Sequence, residues 1–308
     1  MIKVIASDMD GTLLDDNHKL APETLKAIHK ACEAGIRFMV ATGRNFRGAM
    51  EELKDVELTC DYIVGSGAEV RNQEQEVVLT APIDMDLCEE VYHALEKYPV
   101  SVVFCTDDFD YRIGDEEEIE ESFVRQLKVF HLDKDISEEQ AKLDPLYQRV
   151  RKSTIIISKF DELRAAGVPV YKIFLYSGDL SMLERIRLEL EKNPRIAVAA
   201  SFETNLEITD VKAQKGPVLK KYIESLGYTM DEVMVFGDSM NDYSMLSMEF
   251  GATVAMENSM PEVKAVAGHV TKSNQEHGVA FVINEMLREY EARDGRKKFQ
   301  IHSETGDL

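Results

Sequence analysis

Asp8 and Asp10 stand two residues apart, followed by Gly11 and Thr12, directly after the apolar run Ile2–Ser7. On an extended segment such a pair shares one side of the chain, and Gly11 lets the backbone turn away behind it. The two carboxylates could divide a reaction, one attacking while its neighbour moves a proton. A second acidic segment, Phe236-Gly237-Asp238-Ser239-Met240-Asn241-Asp242, also follows an apolar run, Val233–Phe236. Convergence of Asp8, Asp10, Asp238 and Asp242 would bring like charges together, and they would repel unless a cation lay among them. All-oxygen ligands favour a hard ion, and Mg²⁺ suits a site beside a phosphate. By themselves, Asp238 and Asp242 could simply cap a helix.

Two further segments could serve an anion. Thr42-Gly43-Arg44 follows the run Arg37–Ala41 and offers a hydroxyl and backbone amides at the start of a helix. Lys215-Gly216-Pro217 precedes another amphipathic stretch and could place an ammonium on the same group. Each is weak evidence in isolation.

The elements that must carry these residues are legible from periodicity. Short apolar runs alternate with amphipathic segments: Ile2–Ser7, Pro22–Ala34, Arg37–Ala41, Phe46–Leu53 and Tyr62–Val64. The rhythm returns in Pro217–Leu226, Val233–Phe236, Asn241–Met248, Ala252–Val254 and a final helix Val279–Arg293. This is the pattern of βαβ units and predicts an α/β fold, a doubly wound parallel sheet built from both ends of the chain. In that fold ligands bind at the carboxyl ends of strands, where the aspartates stand. Roughly Ile83–Val211 has a different texture and reads as an α+β insertion with helices Leu87–Lys97 and Leu180–Lys192. Its strands are expected at Val100–Cys105, Ser153–Ser158, Tyr171–Tyr176, Ala197–Glu203 and Leu206–Thr209. The acidic run from Asp107 to Glu121 reads as a solvated loop or helix face. The expected organisation is residues 1–82 and 212–293 as one unit, 83–211 as the insertion and 294–308 as a flexible polar tail.

Taken in order, the D-x-D-G-T strand end, the threonine, the lysine and the G-D-x-x-x-D segment resemble the haloacid dehalogenase superfamily. The forms Ala41-Thr42-Gly43-Arg44 and Gly237-Asp238-Ser239-Met240-Asn241-Asp242, with the long insertion, are similar to its Cof-type subgroup, magnesium-dependent phosphatases with a large cap. The resemblance spans about residues 1–290 and implies a core with an inserted cap that reads the substrate. By it, Asp8 would be the nucleophile, forming an aspartyl phosphate, and Asp10 the general acid and then base. Thr42, Gly43 and Lys215 would hold the phosphoryl oxygens, with Asn241 orienting Lys215 or binding phosphate. Mg²⁺ would bridge Asp8, the backbone carbonyl of Asp10 and Asp238, with Asp242 bound directly or acting behind them. The sequence departs from the subgroup at Ser66, where relatives usually carry Asn.

The chain has 308 residues, a formal net charge of −21 and a sequence pI of about 4.8. So acidic a surface repels phosphate backbones and anionic lipids, and Arg296-Lys297-Lys298 is too short a basic run to reverse that field. Neither nucleic acid nor membrane is an expected partner; a small phosphorylated metabolite, most plausibly a sugar phosphate, is. Cys32, Cys60, Cys88 and Cys105 form no CxxC pair and read as buried free thiols of a reducing, cytoplasmic compartment. The N-terminal residues read as neither signal nor transit peptide. No G-x-G-x-x-G follows the first run, which sets aside a dinucleotide enzyme. A phosphomutase returning the phosphoryl group to another hydroxyl, and a non-catalytic phosphometabolite-binding protein, are the competing readings; oligomeric state is not legible.

Overall fold

The computed structural model describes residues 1–130 and 136–303, with the backbone alone for 293–303. The chain opens with β1 (Val4–Ser7), α1 (Pro22–Glu33), β2 (Arg37–Ala41), α2 (Phe46–Leu53), β3 (Asp61–Val64), β4 (Glu69–Arg71) and β5 (Val77–Thr80). Pro22 occupies the first turn of α1, where its missing amide costs nothing, and Ala27, Ile28 and Ala31 form the buried stripe. Asn45 caps α2, its side chain accepting from the Gly48 amide at 2.8 Å.

A long middle stretch follows: α3 (Met85–Leu95), β6 (Ser101–Cys105), β7 (Asp110–Ile113), α4 (Glu116–Phe130), α5 (Glu138–Leu143) and α6 (Pro145–Lys152). It continues through β8 (Thr154–Ile157), α7 (Phe160–Ala166), β9 (Lys172–Tyr176), α8 (Leu180–Leu190), β10 (Ile196–Ala199) and β11 (Asn205–Asp210). The chain then adds α9 (Lys215–Ser225), β12 (Val233–Gly237), α10 (Tyr243–Leu246), β13 (Ala252–Ala255), α11 (Pro261–Val266), β14 (His269–Val270) and α12 (Gly278–Ser303).

The first and last groups of strands make one eight-stranded sheet in the order β14-β13-β12-β1-β2-β3-β4-β5. From β14 to β3 every pairing is parallel. Alternate residues of β1 feed opposite faces: Ile5 packs with Ile28 of α1 and Ile283 of α12, while Val4 and Ala6 pack with Leu219 of α9 and Met245 of α10. The fold is therefore the expected α/β doubly wound parallel sheet. It carries in addition an antiparallel extension, β3-β4-β5, that the periodicity did not predict. β4 sets a single buried Val70 between charged Glu69 and Arg71, and Val77 and Val78 of β5 are exposed with only Leu79 packed inward, so neither strand carries an apolar run long enough to read from periodicity.

The middle stretch forms a second sheet of six strands, β10-β11-β9-β6-β7-β8, with α3, α7 and α8 packed on one face. All its pairings are antiparallel except β7 with β8. Within the acidic run, the expectation of a wholly solvated segment is corrected. Asp110–Ile113 is strand β7, and the Arg112 side chain is fully buried, bonded to Ser122 Oγ at 2.8 Å and Tyr176 Oη at 3.0 Å and lying 4.6 Å from the Phe123 ring centroid.

Two smaller corrections follow. The last helix continues to Ser303 rather than ending at Arg293, because helix formers dominate Glu291–Lys298 and no proline stops them. Of the expected tail, residues 304–308 lie outside the described residues. Cys32 is exposed and Cys105 half-buried rather than buried; the buried stripe of α1 ends at Ala31, one residue before Cys32. No helix among the described residues is long and apolar enough to cross a membrane.

Candidate active site

Register places the site. Ser7 of β1 lies opposite Phe236 of β12 on one side and Val40 of β2 on the other. The residues that follow these strands, Asp8, Asp238 and Thr42, therefore emerge together at the carboxyl edge of the sheet. Gly11 turns the chain there with φ +77°, and a Cβ on it would stand 2.6 Å from Asp238 Oδ2, so glycine is required by both conformation and space.

Lys215, in the first turn of α9, has no exposed surface and joins the two acidic segments. Its Nζ donates to Asp8 Oδ1 at 2.6 Å and to Asp242 Oδ1 at 2.6 Å, and stands 3.5 Å from Asn241 Oδ1. Asp242 Oδ2 accepts from the backbone amides of Asp238 at 3.0 Å and Ser239 at 3.1 Å. That side chain thereby shapes the loop carrying Asp238 as well as anchoring the lysine. Thr12, whose hydroxyl donates to Asp238 Oδ1 at 2.8 Å, joins the site from the D-x-D-G-T string. Thr42 is buried, its hydroxyl accepting from the Arg44 amide at 3.1 Å, and a Cβ on Gly43 would stand 3.2 Å from Asn241 Nδ2.

Three carboxylates converge, not four. Asp8, Asp238 and Asp242 each present an oxygen within 4.8 Å of the others. Asp10 turns its carboxylate elsewhere: Arg44 donates to it twice, Nε at 2.8 Å and Nη2 at 2.7 Å, and His18 Nδ1 stands 3.2 Å away. The expectation that Asp10's side chain joins the cluster is thus corrected, because a guanidinium fork satisfies both its oxygens and leaves it no reason to approach three like charges.

The electrostatics divide accordingly. Burial first, and then the charges of Asp242 and Asp238, push the Asp8 carboxyl well above the usual carboxylate range, with Lys215 only partly opposing them. Burial and the Asp242 charge push Asp238 up to about 7. One ammonium does not balance three crowded carboxylates, and the donor set is entirely oxygen, so the residues fit a hard divalent cation. For Asp10, burial opposes the charge, but His18 and Arg44 outweigh it and hold the carboxyl well below its usual range.

The expected residues Asp8, Lys215, Asn241, Asp238 and Asp242 are directly joined, and Thr42 and Gly43 border them. Arg44 stands in the Ala41-Thr42-Gly43-Arg44 string, but nothing in that string marked its pairing with Asp10. Glu207 and Lys172 of the second sheet, and Ser201 of the loop between β10 and β11, also reach this edge: Lys172 Nζ donates to the Gly43 carbonyl at 2.7 Å, and Asn241 Nδ2 donates to Ser201 Oγ at 3.0 Å. Nothing in their local sequence marked them.

Comparison with known proteins identifies the family and its relatives. Residues 5–283 match the profile of a family described as haloacid dehalogenase-like hydrolase. The phosphatase YwpJ of Bacillus subtilis is 28% identical over 288 residues, covering 93% of this chain and 100% of that protein. The 5-amino-6-(5-phospho-D-ribitylamino)uracil phosphatase YwtE of the same organism is 28% identical over 298 residues, covering 93% and 98%. The solved structure of a haloacid dehalogenase-like hydrolase from B. subtilis superposes with a TM-score of 0.79 at 27% identity, covering 92% of this chain and 99% of that one.

Proposed function

The chain belongs to the haloacid dehalogenase-like hydrolase family and is a phosphatase, a phosphoric monoester hydrolase, and from that premise we propose that it hydrolyses a small sugar or polyol phosphate through a phosphorylated Asp8. The observation that carries this reading is the buried Lys215 ammonium shared between Asp8 and Asp242 at the strand edge. That arrangement supports a carboxylate nucleophile whose approach to an anionic phosphoryl group needs charge neutralised on both sides.

Asp8 attacks phosphorus and the ester oxygen leaves, forming an acyl phosphate that water then hydrolyses. Splitting the reaction in this way replaces one hard step by two easier ones. Lys215, oriented by Asp242 and Asn241, and the Thr42-Gly43 turn hold the phosphoryl oxygens. Asp10, ionised beside Arg44, suits the second step, in which it takes a proton from the attacking water. To protonate the leaving oxygen in the first step it must part from Arg44, which would raise its proton affinity at that moment.

Enzymes of this family generally use a divalent metal. Asp8, Asp238 and the carbonyl of Asp10, with Asp242 behind them, would hold Mg²⁺, which when bound supplies charge neutralisation at the phosphoryl oxygens. The second sheet, residues 83–211 in our division of the chain, acts as the cap that reads the leaving group, residues 1–82 and 212–293 being the core. One relative, by its name, acts on a phosphorylated ribitylamino compound, which supports a polyol phosphate as the substrate class.

Phosphate release in Mg²⁺ from a panel of sugar phosphates, nucleotides and cofactor phosphates tests the proposal, comparing the native chain with Asp8→Asn. Release from at least one sugar phosphate that falls by about a thousandfold or more in the variant is expected, as for loss of a covalent nucleophile. Release that survives in Asp8→Asn overturns the mechanism.

A further inference from the structure

Glu207 and Lys172 are charged, 3% and 8% exposed, and take no part in the chemistry above. Glu207 lies on β11 opposite Phe174 of β9, and Lys172 is two residues from Phe174 on the same strand, so both point from one face of the second sheet. That face meets the catalytic edge of the first. Lys172 Nζ donates to the Gly43 carbonyl at 2.7 Å and lies 3.3 Å from Glu207 Oε2. A Cβ on Gly43 would stand 3.4 Å from either Glu207 oxygen, so the carboxylate sits over the Thr42-Gly43 turn.

Its other partners are hydroxyls. Ser66 Oγ donates to Glu207 Oε2 at 2.6 Å, and Ser201 Oγ donates to Oε1. Ser201 in turn accepts from Asn241, which borders Lys215. A carboxylate beside a phosphate site would repel the substrate were Lys172 not there to neutralise it. Burial opposes the Glu207 charge, but Lys172, Ser201 and Ser66 outweigh it and hold the carboxyl below its usual range. The pair is thus neutral overall, and its acceptor oxygens already bind hydroxyl groups on two sides, the contact that a polyhydroxy leaving group would repeat.

Resting on the phosphatase reading, we infer that Glu207, balanced by Lys172, selects the leaving group. It accepts hydrogen bonds from hydroxyls near the ester and so favours phosphate monoesters of neutral sugars or polyols over esters whose leaving group carries a second anion. Glu207 is a specificity residue and touches no bond that breaks.

The test compares kcat/KM for a hexose monophosphate, a hexose bisphosphate and p-nitrophenyl phosphate in the native chain, Glu207→Gln and Lys172→Gln. In Glu207→Gln the ratio of monophosphate to p-nitrophenyl phosphate should fall about 10- to 100-fold, the range for a hydrogen bond to a charged group. The same variant frees the Lys172 charge, so its ratio of bisphosphate to monophosphate should rise. In Lys172→Gln that second ratio should fall. Loss of fold cannot move one ratio in opposite directions, and if Glu207→Gln does not fold, the Lys172→Gln ratio decides. Ratios unchanged in the variants, or changed in the same sense, overturn the inference. If the native chain releases phosphate from none of the three, the proposed sugar-phosphate hydrolysis fails separately. Calorimetric binding of the same esters in Mg²⁺ to Asp8→Asn, with and without Glu207→Gln, then decides: selective weakening of the hexose monophosphate supports the inference, and equal affinities overturn it.

Discussion

Lys215 shows how much of this site rests on charge balance inside the protein. Its ammonium is wholly buried yet held charged, because Asp242 and Asp8 outweigh the burial that opposes it. The balance is incomplete, and the residual carboxylate repulsion has a measurable sign. In the metal-free chain the Asp238 carboxyl keeps its proton up to about 7, against an ordinary 3.8. Between those values the folded chain binds more protons than the unfolded one, so stability falls as pH rises through that window. Thermal unfolding in EDTA should show this decline from about pH 4 to about pH 7, and excess Mg²⁺ should flatten it. Parallel curves with and without Mg²⁺ would mean that no cation relieves the cluster. The identities of Asp8, Asp238, Asp242 and Lys215 were legible in the sequence because strand ends and glycines flank them. The pairing of Asp10 with Arg44 was not, since both lie on loops whose turns decide where each side chain points.

At the scale of elements, the site depends on α9 being seated close enough to present Lys215. Gly216 makes that approach possible: a Cβ there would stand 2.0 Å from the Ser244 carbonyl at the start of α10. The obstacle is backbone, which cannot swing aside as a side chain can, so Gly216→Ala must push α9 and α10 apart. The expected cost is about 1–3 kcal/mol or more in urea denaturation, as for other overpacked contacts, with loss of turnover because Lys215 is displaced. An unchanged midpoint would show that α9 tolerates the shift. The parallel elements were legible because their apolar residues recur at helical or strand spacing. Strand β7 was hidden by Asp110 and Arg112, whose charges read as surface. Arg112 is accepted into the interior only because Ser122, Tyr176, Gln126 and the Phe123 ring receive it, partners drawn from two helical turns and another strand.

For the whole molecule, the two sheets meet at the site through Lys172 and Ser201, where Asp8 is 4% exposed and Thr42 1%. On the proposed function, substrate entry and product release part the sheets. The Asn241 amide, bonded to the Ala200 carbonyl of the second sheet's loop at 3.1 Å, reports that opening. Its hydrogen exchange should be much faster than that of Val235 inside β12 and should slow on adding Mg²⁺ with inorganic phosphate. Equal protection of the two amides would show that the sheets do not separate short of global unfolding. The amino-acid sequence alone determined the parallel sheet and the edge at which the aspartates and the lysine stand, because those follow from local periodicity and from residue types at strand ends, and the order of its motifs carried the family resemblance that implied phosphatase chemistry. Tertiary structure alone decided that Arg44 holds Asp10 away from the other carboxylates, and that Glu207 and Lys172 come down over the Thr42-Gly43 turn. Such contacts join residues far apart in the chain, and their geometry is set by how two sheets pack rather than by the spacing of residues along either one.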